Sequence, residues 1–195
     1  MNAKTTQPVL LLVAGPNGAG KTTFAEPWRR QFSVVNADMV MLENDLTPYQ
    51  AGRVTIQRLM EHIEQKNSCI YETTISGSGL LRHIRNARGK GFLIFLYYIG
   101  LERDSIAVER VKVRYKSGQG HLVPENDIIR RYHRSLKNTP DFIKLSDYTL
   151  LLDNSSHDSP FREVCEIYND KSYLHEDSPD IPQWAQNILK AMGHL

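Results

Sequence analysis

Along the chain, short apolar runs alternate with longer segments in which apolar residues recur every three to four positions. This is the pattern of an α/β domain built around a largely parallel sheet. Val9–Ala14 is uniformly apolar and reads as the first strand. A helix over residues 21–32 follows, then a second strand over 33–37 ending at Asp38, and a long helix over 47–66 with Thr47-Pro48 as its cap and first turn. Residues 68–73 make a third strand, and residues 79–89 a helix closed by glycine. Phe92–Ile99 is the most apolar strand, apolar on both faces, which places it in the middle of the sheet. Helices over 102–116 and 124–137 flank the break Ser117-Gly118-Gln119-Gly120, and a fifth strand over 148–152 leads to Asp153-Asn154. Residues 164–168 and 171–174 flank Asn169-Asp170 as a hairpin, and 181–192 form a last helix. The expectation is a single three-layer α/β domain with about five or six mainly parallel strands. A helical lid spans 103–137, and a C-terminal hairpin and helix span 157–195.

The residues after the first strand add chemistry to this outline. Gly15-Pro16-Asn17-Gly18-Ala19-Gly20-Lys21-Thr22 is a full G-x-x-x-x-G-K-[ST] phosphate loop, followed by a second hydroxyl at Thr23. A triphosphate presents dense negative charge that backbone N–H groups must approach closely, and glycine lets them turn inward with no Cβ in the way. Lys21 then reaches the β- and γ-phosphates and the Thr22 hydroxyl binds Mg²⁺. The helix beginning near Lys21 points its N-terminal dipole at the same charge. A nucleoside triphosphate is the expected ligand.

In such sheets, ligands sit beyond the carboxyl ends of the strands, which selects Asp38, Glu72-Thr73-Thr74, Gly100 and Asp153-Asn154. Asp38 is either a base that takes the proton of an acceptor hydroxyl or a helix N-cap, and its strand-end position favours the base. Glu72 with Thr73 and Thr74 offers a carboxylate and two hydroxyls to a polar substrate, or is an edge-of-sheet residue facing solvent. Cations gather between Arg103 and Lys137, where Arg110 and Arg114 share a helix face at i, i+4 and Arg131 follows the glycine break. They read as a lid closing on the triphosphate, an effect worth about 10³ to 10⁵ in rate where dissected, or as solvated helix faces. Only Tyr115 and Tyr132 interleave with these charges, which disfavours a nucleic-acid groove. Asn154 contacts the adenine or makes a turn.

As a set, the phosphate loop, Asn36-Ala37-Asp38, Tyr71-Glu72-Thr73-Thr74, Gly120-His121-Leu122-Val123-Pro124, Arg130-Arg131-Tyr132 and Asp153-Asn154-Ser155 resemble the zeta-toxin-like P-loop kinases. The match is closest to their small predicted-ATPase branch and covers about residues 9–155. The resemblance implies ATP and Mg²⁺ at Lys21 and Thr22, Asp38 as catalytic base, and Asn36, Glu72, Thr73 and Thr74 on the acceptor. It also implies Arg110, Arg114 and Arg131 in the lid, phosphoryl transfer to a hydroxyl of a sugar nucleotide such as UDP-N-acetylglucosamine, and an antitoxin protein as partner. The sequence departs from that pattern twice. His121 stands ahead of Val123-Pro124 where the better-known toxins carry a lid arginine, so the lid charge comes from elsewhere, Arg131 being the candidate. The chain is also shorter, without the additional C-terminal elements of the larger toxins.

Composition narrows the remaining classes. At 195 residues, 41% hydrophobic and 24% charged, the chain suits one soluble domain with one sizeable core. It has no apolar run of roughly 18 residues that would cross a bilayer, and the polar Met1–Pro8 does not read as a signal peptide, so the expected location is cytoplasmic. Cys69 and Cys165 lie in apolar strands without metal-ligand spacing and read as buried thiols, and the histidines show no metal spacing either. A net charge of +2 gives no argument for nucleic acid. Two other functions compete with a kinase. A transport-type ATPase would need a signature that Ile75-Ser76-Gly77-Ser78-Gly79 echoes only in part, and a Glu after Asp153 that is absent. A nucleotide-gated binding module would need no transfer at all. A guanine-specific switch is disfavoured because no Asn-Lys-x-Asp follows the fourth strand.

Overall fold

The computed structural model describes residues 7–118, 120, 122–175 and 180–195. Among these, seven strands form one sheet: β1 Val9–Ala14, β2 Ser33–Asn36, β3 Cys69–Thr73, β4 Leu93–Gly100, β5 Tyr148–Asp153, β6 Arg162–Tyr168 and β7 Lys171–Leu174. Their order is β2-β3-β1-β4-β5-β6-β7. The first five are parallel, and β6 and β7 add antiparallel. The sheet is therefore wider than expected, because the C-terminal hairpin joins it through pairs such as Leu151↔Cys165. Asn169 and Asp170 both take left-handed φ, 50° and 56°, the geometry of a tight two-residue hairpin turn. β4 lies at the centre, where its two apolar faces predict it.

Seven helices are described: α1 Lys21–Ala25, α2 Ala37–Asn44, α3 Pro48–Glu64, α4 Leu81–Gly89, α5 Asp104–Lys116, α6 Glu125–Ile143 and α7 Gln183–Ala191. Successive β1 side chains point to opposite layers. Leu10, Leu12 and Ala14 belong to one core with Leu59 and Ile63 of α3, Ile84 of α4 and Ile188 of α7, while Leu11 and Val13 belong to another with Ala25 of α1 and Val108 and Val111 of α5. α6 serves both, giving Ile128 and Tyr132 to the second core and Phe142 and Ile143 to the first. The two helices assigned to a lid are thus rooted in the core, with their arginines at its margin.

Three elements differ from the expectation. α1 stops at Ala25 and the chain tightens into a 3₁₀ turn over Glu26–Trp28, because Pro27 has no N–H to continue the helix. α6 runs past Lys137 and through Pro140 to Ile143, held by the burial of Thr139, Phe142 and Ile143 and by the Thr139 hydroxyl, which donates to the Ser135 carbonyl at 2.8 Å. α2 carries little amphipathic signal and is set by its cap: Asn36 Oδ1 accepts from the backbone N–H groups of Asp38 at 2.7 Å and Met39 at 3.3 Å. The expected cap of α3 is present as a reciprocal box between Thr47 and Gln50. The parallel strands all end on one side, and the segments that follow them build the site.

Candidate active site

The loop between β1 and α1 closes on Gly20, whose φ of 90° suits glycine, and a Cβ there would meet Asn154 Nδ2 at 2.8 Å. Asn154 follows β5 and reaches back across the sheet: its Nδ2 donates to the Ala19 carbonyl at 2.9 Å, and its Oδ1 accepts from the Phe161 N–H at 3.3 Å. The Lys21 ammonium donates to the carbonyls of Gly15 at 3.0 Å and Pro16 at 2.8 Å, folded back over the loop it serves. Burial lowers its pKa from 10.5 to about 8, against the opposing pull of the Glu72 and Asp38 carboxylates and with a further push from Arg114 and Arg131.

Glu72 sits near the end of β3, paired in register with Val13 of β1 and Asn36 of β2. β3 is an interior strand and the Glu72 side chain is 1% exposed, so the solvent-facing reading is overturned. Glu72 Oε2 accepts from the Thr22 hydroxyl at 2.8 Å and from Asn36 Nδ2 at 2.6 Å. Oε1 has no hydrogen-bond donor among the described residues, and Arg29 Nη2 lies 3.8 Å away. Asn36 is therefore engaged at both ends of its amide, capping α2 with its oxygen and holding Glu72 with its nitrogen.

Asp38 occupies the second position of α2 rather than its cap. Its side chain is 52% exposed, with Arg114 Nη2 3.8 Å from Oδ2. Arg110, one helical turn before Arg114, instead donates to the carbonyls of Asn154 at 2.7 Å and Ser155 at 3.5 Å. The two arginines thus share a face and do different things.

Most of the residues singled out from sequence converge. Asn17, Gly18, Gly20, Lys21, Thr22 and Thr23 line a cavity of about 530 Å³, together with Asn36, Asp38, Glu72, Thr73 and Thr74 and with Arg110, Arg114 and Arg131. Gly15, Pro16, Ala19 and Asn154 are not in its lining. A second cavity, of about 380 Å³, shares Ala37, Asp38, Thr74 and Arg131 with the first and continues to Met41, Pro48, Ser76 and Asp127. Gln119 and His121 lie outside the described residues.

Sequence reasoning missed several contributors. Arg29, which also pairs with Glu26 at 3.0 Å, belongs to no motif. Ser76 lies within 3.0 Å of the Thr74 hydroxyl. Between them Ile75, buried and β-branched, takes φ 43°, a costly conformation for such a residue. It is held there by the Thr73 hydroxyl, which accepts from its N–H at 3.0 Å, and by Asn138 Nδ2 of α6, which donates to its carbonyl at 2.8 Å.

No protein-family model matches the chain. An uncharacterized protein of Haemophilus influenzae is 31% identical over 133 residues, covering 63% of this chain and 91% of that protein. Among solved structures, the AvrRxo1-ORF1:-ORF2 complex with ATP is similar at a TM-score of 0.70 and 14% identity, over 89% of this chain. The chain spans 62% of the length of its counterpart in that complex. The PezAT toxin–antitoxin structure of Streptococcus pneumoniae is similar at a TM-score of 0.61 and 12% identity, over 98% of this chain and 87% of its counterpart. With the phosphate loop after β1 and the carboxylates gathered at the strand ends, the chain has the fold of the zeta-toxin-like P-loop kinases, and it belongs to one family with the Haemophilus influenzae protein.

Proposed function

We propose that this chain is an ATP-dependent small-molecule kinase that transfers the γ-phosphoryl group to a hydroxyl. The observation that carries the reading is the shared wall: Asp38 and Arg131 line both the cavity of the phosphate loop and the second cavity beside it. An acceptor in the second cavity would meet the terminal phosphate at that wall.

In this reading the loop N–H groups and Lys21 hold the β- and γ-phosphates, and an acceptor hydroxyl approaches past Asp38. As the acceptor oxygen bonds to the γ-phosphorus, Asp38 takes its proton, the bond from phosphorus to the bridging oxygen breaks, and ADP departs with its new charge held by Lys21 and the loop. Arg131 and Arg114 offset charge on the transferring group, with residues 103–137 acting as the lid. Thr22 Oγ1 and Glu72 Oε1, which has no hydrogen-bond donor among the described residues, fit a hard, oxygen-seeking Mg²⁺. When bound, such an ion neutralises charge on the phosphate oxygens.

The resemblance nominates UDP-N-acetylglucosamine as the acceptor and an antitoxin-like protein as partner, as in the toxin–antitoxin system named for PezAT. A cytoplasmic site of action suits such a substrate, and no helix among the described residues is long and apolar enough to cross a membrane. The test is incubation with Mg²⁺ and γ-labelled ATP, with and without UDP-N-acetylglucosamine. A labelled sugar nucleotide, lost in Asp38→Asn, is the expected result. Saturable ATP binding with transfer to no acceptor would turn the reading to a nucleotide-gated binding module.

A further inference from the structure

No residue of α7 lines the first cavity, yet its first turn packs on the ends of β4 and β5 beside the phosphate loop. Trp184, in the first turn of α7, is buried with its indole pressed so closely on Gly100, the last residue of β4, that no larger residue fits there. Its Nε1–H donates to Asp153 Oδ1 at 3.1 Å. Asp153 is itself buried at the end of β5, and its other partners are the Ser155 hydroxyl, which donates at 2.7 Å, and Arg162, at 3.6 Å. A carboxylate so enclosed depends on each donor it has. The next residue, Asn154, donates its N–H to the Gly100 carbonyl at 3.1 Å and its Nδ2 to the Ala19 carbonyl. That last bond has a direct consequence for phosphate binding. A loop that presents its N–H groups to an anion must turn its carbonyls away, and Asn154 holds the Ala19 carbonyl turned away.

We propose that Trp184 is a positioning residue of the nucleotide site, setting the phosphate loop from α7 through Asp153 and Asn154. The inference rests on the reading of the loop as an ATP site. It assigns the C-terminal helix a role in nucleotide affinity, and none in the transfer step. By reciprocity, nucleotide on the loop must also favour the docked indole.

The test uses the full chain and a fluorescent ATP analogue carrying an N-methylanthraniloyl group on its ribose. Trp184→Phe keeps an aromatic ring at this position but removes the N–H donor and part of the indole that packs on Gly100, so the cost in packing is read from its Tm and compared with that of the control below. It is expected to raise the analogue's Kd about three- to ten-fold at a temperature well below melting, with kcat at saturating ATP unchanged. Tyr98→Phe is the control: it removes a buried hydroxyl that lies 3.1 Å from Ser135 Oγ, beside Trp184 but off the path to Asn154. It should lower Tm and leave Kd alone. The chain has two tryptophans, so in Trp28→Phe the tryptophan emission, excited beyond the tyrosine absorption band, comes from Trp184 alone, and it should change with the same Kd as the analogue. This second readout serves even where Trp184→Phe fails to fold. Wild-type affinity in Trp184→Phe, or Trp184 emission indifferent to nucleotide, overturns the proposal while leaving the ATP site standing. A wild-type chain that binds no nucleotide, matching Lys21→Ala, removes the ATP reading and this inference with it.

Discussion

The Thr22 hydroxyl donates to Glu72 Oε2 at 2.8 Å, tying the phosphate loop to the end of β3. Glu72 is thereby held against the phosphate loop, and its Oε1 has no hydrogen-bond donor among the described residues, with Arg29 Nη2 3.8 Å away. Glu72→Gln keeps the shape and one acceptor oxygen but removes the charge. It should raise the Mg²⁺ concentration needed for half-maximal transfer by about 10- to 100-fold, the scale for loss of a group that orients a metal site. Activity titrated against Mg²⁺ at fixed ATP checks this, and an unchanged midpoint would return Glu72 to the acceptor.

Asp38 is half exposed and lies in the first turn of α2, so Asp38→Asn should alter stability by no more than about 1 kcal/mol. Loss of the base should cost transfer about 10²- to 10⁴-fold with ATP affinity preserved. Single-turnover rates beside calorimetric ATP binding separate the two effects.

Lys21 brings a pH dependence with a definite sign. Burial holds its folded pKa near 8, below the ordinary 10.5. Below pH 8 the ammonium is charged and ready for phosphate. Above it, ATP binding must take up a proton, so affinity should fall by up to about ten-fold per pH unit. Stability moves oppositely: between pH 8 and 10.5 the unfolded chain retains a proton that the folded chain has released, so this group's contribution rises with pH. Calorimetry in buffers of different ionisation heat reads the proton uptake, and Lys21→Met should abolish both trends.

The turn after β3 is strained at Ile75 and held by Asn138. Asn138→Ala leaves the Ile75 carbonyl without its donor and should destabilise the fold by about 1–3 kcal/mol. Because the same turn presents Thr74 to both cavities, acceptor KM should rise with little change in ATP affinity. Denaturant melts and steady-state kinetics on one preparation test the pair of effects together.

What the sequence revealed and what it hid follow from range. β1, β4 and the loop from Gly15 to Thr22 are legible because their signal is local: an apolar run, and glycines followed by Lys-Thr. The convergence of Asp38 and Glu72 follows from the strand-end rule once the sheet is parallel, and Arg114 and Arg131 join them from the cation cluster on α5 and α6 that the sequence marks as a lid. The use made of each side chain was not legible. Asn154 and Arg110 are drawn to backbone carbonyls far away in sequence, and Asn36 divides its amide between a helix cap and Glu72. α2 escaped because its eight residues take their stability from the cap and the neighbouring packing more than from periodicity.

The bond from Asn154 to the Ala19 carbonyl spans 135 residues of chain. At a synthesis rate of about 5–20 residues per second, that separation is roughly 7–27 s on the ribosome. For all that time the Ala19 carbonyl lacks the donor that arrives once β5 is made and paired with β4. Closing so long a loop carries its entropic cost before any local contact rewards it, so the step falls late. The carbonyl bond that braces the glycine loop is therefore made late relative to the loop itself, whatever the loop's own sequence supplies early.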